Sequence, residues 1–467
     1  MSFHSEHAPD SGEALQLAGK QQEALQAYAT ALRKSPDDPR TLSNCGGLLC
    51  EMGDFSSALQ LLRKATDLAP DFADAWSNFG NSLLQSQMFN ESVWAYSRCL
   101  ELNSSHKHAL SNIGVALDGM GLHSQALTFH DIAIRLDALN PETRTNRAIS
   151  LLAAGNYPEG FAEYEWRWKT RTTAWHGMAT PLWDGKPFTG KTLLIHTEGG
   201  FGDVLQFARF LPQVKTLGGQ LILRIRPELR DLLVRMQVAD AVLVEEDPIP
   251  AHDFQIPILS LPLALKTTLD TLPFPEGYLQ ASAEKICQWQ KILHDDVEKL
   301  RVGLVWAGAP HKEIREAEIA DRRRSMSLAT LAPLAACSAN VSFYSLQLGE
   351  PASQLAEAPD GLNVIDHTAR LHSFDDTAAL ISCLDLIIAV DTSTAHLAAA
   401  LGKTVWLLSR YDQCWRWLSH RTDTPWYASL KIYQQTRPLD WSTPVNAIQR
   451  DLLHHSAQQI DRERHPF

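Results

Sequence analysis

Three short clusters in this 467-residue chain carry side chains able to handle a phosphorylated substrate. In the first, an apolar run at 384–388 passes through Asp391-Thr392-Ser393 into an Ala/Leu-rich helical pattern at 394–401 that contains His396. A helix starting at such a hydroxyl cluster presents free backbone N–H groups and the positive end of its dipole, which suits phosphate. Equally, Thr392 or Ser393 can simply cap the helix. The second cluster is Asp203, at the end of the turn Gly199-Gly200-Phe201-Gly202. A carboxylate at the carboxyl edge of a strand faces the ligand crevice of an open α/β sheet and can take a proton from an attacking hydroxyl, although Asp is also among the best N-cap residues. The third is Arg322-Arg323-Arg324, closing a charged segment that begins at Lys312. Guanidinium groups suit a diphosphate by bidentate contact; the alternative is a solvated loop. Farther on, Trp415-Arg416-Trp417 offers flat faces for a base or sugar and a cation for an anion, or ordinary core packing.

Strands alternating with helices must hold these residues. From Lys191 the pattern predicts a strand at 192–196, an amphipathic helix at 203–217, strands at 221–225, 242–244 and 254–258, and a helix opening at Pro227. A second series begins at Arg301, with strands at 302–306 and 343–348, a helix at 374–382 and a final strand at 405–408. Such alternation means doubly wound parallel sheets. The turn at 199–202 does not spell G-x-G-x-x-G, so it is not a dinucleotide site.

Upstream the chain repeats itself at a step of 34, with units starting near residues 5, 39, 73, 107 and 141. Leu15, Leu49, Leu83, Leu117 and Leu151 coincide, as do the small residues Ala24, Ala58, Ser92, Ala126 and Gly160. Glycine recurs at 19, 53, 121 and 155, with Gln87 as the exception. Helix, glycine turn and second helix make one unit, and the period and pattern resemble tetratricopeptide (TPR) repeats. Asn44, Asn78, Asn112 and Asn146 hold one position in four successive first helices. A row of carboxamides can hold a peptide backbone without reading its sequence, as the similar row in the eukaryotic O-GlcNAc transferases suggests; each Asn bonding its neighbouring repeat is the other reading. The last unit turns aromatic at 160–168, as a unit packed on a following domain would.

The catalytic-looking clusters resemble GT-B glycosyltransferases related to the ADP-heptose:lipopolysaccharide heptosyltransferases. Asp391, Thr392, His396 and Leu401-Gly402 fall on that group's D-T/S-x-x-x-H-L-x-A-A-L-G segment, and Gly202-Asp203-Val204-Leu205 on its G-D-V/I-L. TPR-fused relatives usually show E-Q-G-L-G-D, where this chain has Glu198-Gly199-Gly200-Phe201-Gly202-Asp203. The resemblance implies Asp203 as general base and a nucleotide-sugar bound by Arg324, Asp391, Thr392, Ser393, His396 and Arg416. The acceptor is a protein, in the groove formed by the Asn row, or a glycan. No two aspartates are separated by a single residue, so the D-x-D element of metal-dependent transferases is missing. We therefore expect a nucleotide-sugar co-substrate with neither metal nor cofactor.

The expected architecture is an α-superhelix of TPR repeats at 1–174, a linker at 175–190, and a GT-B pair of Rossmann-like α/β domains at 191–300 and 301–467. The formal charge of −12 disfavours nucleic acid and anionic membranes. Through residue 170 the repeats carry 13 Lys+Arg against 20 Asp+Glu, so the array itself is acidic. Seven cysteines without a C-x-x-C pair suit free thiols, and no run of about 18 apolar residues occurs, which points to a cytoplasmic protein with no membrane span. A protein-interaction scaffold with a degenerate transferase domain is the competing reading, supported by the altered turn at Gly199-Gly200.

Overall fold

The computed structural model describes residues 11–171, 173, 177–293, 299–309 and 315–464. They divide into one unit of Met1–Ala154 with Glu163–Ala174 and another of Gly155–Ala162 with Trp175–Phe467. The start of the first repeat, residues 174–176 of the predicted domain junction and the opening of the charged segment, including Lys312, lie outside the described residues.

The array is a run of helical hairpins: α1 (Gly12–Leu17) with α2 (Gln21–Lys34), α3 (Pro39–Met52) with α4 (Phe55–Leu68), α5 (Ala73–Gln85) with α6 (Phe89–Leu102), and α7 (Lys107–Gly119) with α8 (His123–Leu136). Next come α9 (Pro141–Ala153) and α10 (Tyr157–Tyr164), of which residues 157–162 belong to the second unit. Pro39 and Pro141 occupy first-turn positions, where a missing N–H costs nothing. At the turn, Gly19, Gly53, Gly121 and Gly155 all have φ between 74° and 88°, and Gln87 adopts the same left-handed conformation at 59°. The reason is shared geometry: Met88 N–H reaches back to the Leu83 carbonyl at 2.9 Å, as Asp54 does to Leu49.

A second glycine series, at 12, 46, 80 and 114, was not picked out from the sequence although it keeps the same step. A Cβ there would fall 2.5–2.7 Å from Tyr28, Leu62, Tyr96 and His130 respectively, so these glycines let the paired helices close.

In the second unit, all strands run parallel. β1 (Thr192–His196), β2 (Gln220–Ile225), β3 (Ala241–Val244) and β4 (Phe254–Pro257) form one sheet in the order β3-β2-β1-β4. β5 (Leu300–Val305), β6 (Val341–Ser345), β7 (Val364–Ile365), β8 (Leu386–Val390), β9 (Thr404–Ser409) and β10 (Leu430–Gln434) form the other, ordered β10-β9-β8-β5-β6-β7. The strand order reverses between β1 and β4 and again between β5 and β8. The connector joins the first sheet's edge, Leu182 bridging Gln255.

The helices of this unit are α11 (Phe201–Phe207), α12 (Leu211–Thr216), α13 (Arg230–Val234), α14 (Leu261–Ala264), α15 (Ala283–Ile292), α16 (Arg315–Arg324), α17 (Phe374–Ser382), α18 (Ser393–Ala400) and α19 (Ser442–Arg464). Trp441, Val445, Ile448 and Leu452 bring the start of α19 into the core of the second sheet, with Val302, Phe343 and Ile388.

Three expectations are corrected. The helix foreseen at 203–217 starts two residues earlier and breaks into α11, a 3-10 turn at Ala208–Phe210 and α12, with Pro212 in the first turn of α12. The described end of the charged segment is helix α16, not a loop. Strand 405–408 is not the last, because β10 pairs with it in register, Ile432 opposite Leu407.

Replacing Gly80 by Ala would drive a methyl to 2.7 Å from the fully buried Tyr96 ring. We expect it to cost about 1–3 kcal/mol, read as a lower urea midpoint for the helical signal.

Candidate functional site

Ligands of open α/β sheets bind outside the carboxyl ends of strands where the order reverses. Here the loops leaving both reversal points meet. α11 follows β1, α18 follows β8, and Gly202 of α11 lies so close to α18 that a Cβ would sit 3.0 Å from His396 Cδ2 and 3.5 Å from Ser393 Cα. Beside this contact opens a cleft of about 270 Å³. Phe201 lines it from the first sheet's side, facing Ala307 and Gly308 after β5, Gln347 and Leu348 after β6, and the starts of α17 and α18 at Ser373-Phe374 and Thr392-Ser393-Thr394. The Phe201 and Phe374 rings meet across it, with centroids 4.8 Å apart.

No side chain caps α18: the Thr392 hydroxyl donates instead to the Val390 carbonyl at 3.1 Å. The first amides of the helix are thereby left to the cleft, as an anion site requires. Gln347, which the sequence did not single out, sets the floor. Its Oε1 accepts from Trp306 and Ala307 N–H at 3.0 and 2.9 Å, and its amide donates to the Ala307 and Leu348 carbonyls. A lone Gln at a strand exit carries no sequence signal for such a role.

Of the residues named from the sequence for a donor, Thr392 and Ser393 line the cleft. The other four stand behind it. Arg324 donates through Nη1 to the Asp391 carbonyl at 3.0 Å and through Nε and Nη2 to Asp321, beside Gly308. Asp391 faces His396, Oδ1 to Nε2 at 3.8 Å. His396 is buried, stacked on Trp417 with centroids 5.1 Å apart and bonded to the Tyr427 hydroxyl at 3.0 Å. Arg416, offered as an anion ligand, instead pairs with Asp203 and donates through Nε to Gln206 Oε1 at 2.8 Å.

Asp203 is the third residue of α11, not its N-cap, which is Gly200. Its Oδ2 accepts the Gly200 N–H at 2.7 Å, the carboxylate half of a capping box, while Oδ1 takes Arg416. With its side chain 24% exposed and about four acceptor sites on a carboxylate, room remains for an incoming hydroxyl.

In the array, the asparagine row turns toward neighbouring repeats. Asn44 donates to Glu13 at 2.6 Å, Asn78 to Ser43 at 3.0 Å and Asn146 to Ser111 at 3.5 Å, and Asn112 lies beside the Tyr96 hydroxyl. All four are half-buried. The serine preceding the asparagine, at Ser43 and Ser111, was the sequence signal for the Asn78 and Asn146 bonds.

Burial pushes His396 down to about 4 from 6.5, overriding the nearby Asp391 and Asp203 carboxylates, with Arg416 and Arg209 acting in the same direction as burial. The folded state therefore holds it neutral. Its contribution is fully present above about pH 6.5 and is lost as the pH falls toward 4. A shift of this size corresponds to a loss on the order of 3 kcal/mol. His396→Gln should be less stable at pH 7 yet show a flatter dependence of melting temperature between pH 6.5 and 4; an unchanged slope would contradict the assignment.

A family model for the tetratricopeptide repeat matches residues 15–79. The chain is 27% identical over 330 residues to Protein FlbA of Caulobacter vibrioides, a match taking in 65% of this chain and 53% of FlbA, so it spans about half that relative's length. MamA matches 33% of this chain and 91% of its own, at 21% identity and a TM-score of 0.30. The thermophilic TPR protein TTC0263 of Thermus thermophilus matches 34% of this chain and 88% of its own, at 19% identity and a TM-score of 0.32. The N-terminal region of this chain carries tetratricopeptide repeats.

Proposed function

We propose that the second unit is a GT-B glycosyltransferase that moves a sugar from a nucleotide-sugar donor to an acceptor hydroxyl, on a protein engaged by the TPR region. The observation that carries this reading is the uncapped start of α18 in a cleft at one strand-order reversal, with Asp203 on the helix that leaves the other. In the proposed step, Asp203 takes the acceptor's proton as the hydroxyl oxygen bonds to the anomeric carbon. The bond from that carbon to the diphosphate breaks, and the nucleotide leaves with the electron pair. The amides of α18 and the hydroxyls of Ser393 and Thr394 offset the charge on the leaving group, while the Ser373 and Thr392 hydroxyls donate to Asp376 and the Val390 carbonyl and hold the helix starts in place. Arg324 contributes indirectly, by bracing the Asp391 carbonyl one residue before Thr392.

TPR repeats are a protein-interaction module, which favours a protein acceptor. The half-buried asparagine row belongs to this proposal only through whatever its carboxamides offer beyond their inter-repeat bonds. A second reading, a scaffold with an inactive transferase domain, draws on the Arg416 pair that occupies one oxygen of Asp203. A thermal-shift panel of nucleotide-sugars separates the two, since an inactive scaffold should ignore every donor.

Asp203→Asn keeps the shape and the bond to Gly200 but removes the base, so turnover should fall by about 10² to 10⁴, with donor affinity little changed. Full-rate transfer by this variant would sink the assignment.

A further inference from the structure

Tyr157 and Phe161 continue the repeat pattern on α10, yet both pack within the α/β unit. They are 0% and 2% exposed. Their contacts converge on the segment that carries Arg416. Phe161 meets the Trp415 ring edge-on with centroids 6.0 Å apart and Tyr157 meets it at 6.4 Å, while Phe161 also touches Phe207 of α11. The Tyr157 hydroxyl accepts from Trp426 Nε1 at 2.6 Å, and the Trp426 carbonyl in turn takes Arg209 Nη1 at 2.6 Å. The Arg416 guanidinium lies over the Trp415 ring, 4.5 Å from its centre, and pairs with Asp203 and Gln206.

We propose that Tyr157 and Phe161 are positioning residues for Asp203, acting through Trp415 and Arg416, so that the last repeat helix is part of the scaffold of the transfer site. This rests on the transferase reading of Asp203. The physical basis is that a guanidinium seated on an indole face keeps its direction only while the indole keeps its own. Trp415 is held by rings from α10, so loosening them lets Arg416 drift and α11 with it. A small displacement of a reacting group is costly to rate and nearly neutral to the binding of a substrate held elsewhere.

The test uses the full chain with the nucleotide-sugar selected by the donor panel. In Phe161→Ala, turnover should fall on the order of tenfold to a hundredfold, while the donor KM changes less than about twofold. Amide hydrogen exchange across residues 200–207 should speed up. In an Arg416→Gln background the Phe161 change should add little, because both act on one contact. Tyr157→Phe keeps the ring and deletes only the hydroxyl on Trp426; it should show the same changes in milder form and carries the test if Phe161→Ala does not fold. Unchanged exchange at 200–207, or losses that multiply independently with Arg416→Gln, would overturn the positioning role even in an active enzyme. A wild-type chain that binds no nucleotide-sugar would overturn the transferase reading instead, and the exchange measurement would still report on whether α10 holds α11.

Discussion

Everything in the α/β unit depends on how closely α11 and α18 approach each other at Gly202. With no Cβ in the way, the helix leaving β1 can rest against His396, and the two points of strand-order reversal come together at one cleft. His396 cannot yield, because Trp417 stacks on one face and the Tyr427 hydroxyl fixes Nδ1. A larger residue at 202 would therefore push α11 outward and take Asp203 with it. Burial at this contact also holds His396 neutral, with Gly202 packed against its ring edge.

Around this contact, the cations that an acidic protein might have offered to a phosphate are used internally. Arg209 is fully buried and donates to the Trp426 carbonyl, Arg323 pairs with Asp412, Arg324 with Asp321 and the Asp391 carbonyl, and Arg416 with Asp203. Their charge fixes backbone and carboxylates in place. The cleft is lined by hydroxyls, Gln347 and apolar side chains, with the Glu228 carboxylate and the His372 imidazole also at its wall and neither Lys nor Arg among its described lining residues. Arg235 and Lys285 extend this bracing to the far side of α17, gripping Asp375, which is only 2% exposed.

Periodicity made much of this readable in advance. The step of 34 residues fixed the hairpins of the array, because each repeat buries the same positions against its neighbour, and even the exception, Gln87, adopts the turn conformation of the glycines it replaces. Helix α17 begins and ends where its apolar spacing says it should, and β1, β2, β8 and β9 fall within about two residues of their apolar runs. The hydroxyl cluster at 391–394 was visible for the same reason: a strand-to-helix junction is local in sequence.

Neighbours within one or two turns along the chain set the repeat architecture, the alternation of strands and helices, and the local junctions, so all of these are written in the residue pattern. What the long side chains do was decided by tertiary packing alone. Whether Arg416 faces a ligand or Asp203, 213 residues away, and whether Arg324 faces the cleft or the Asp391 carbonyl, depends on which surfaces the sheets bring together. Asn78 turning to Ser43 follows the same logic between repeats. A flexible charged or amide side chain takes the partner that packing places within reach, and no pattern along the chain encodes that distance.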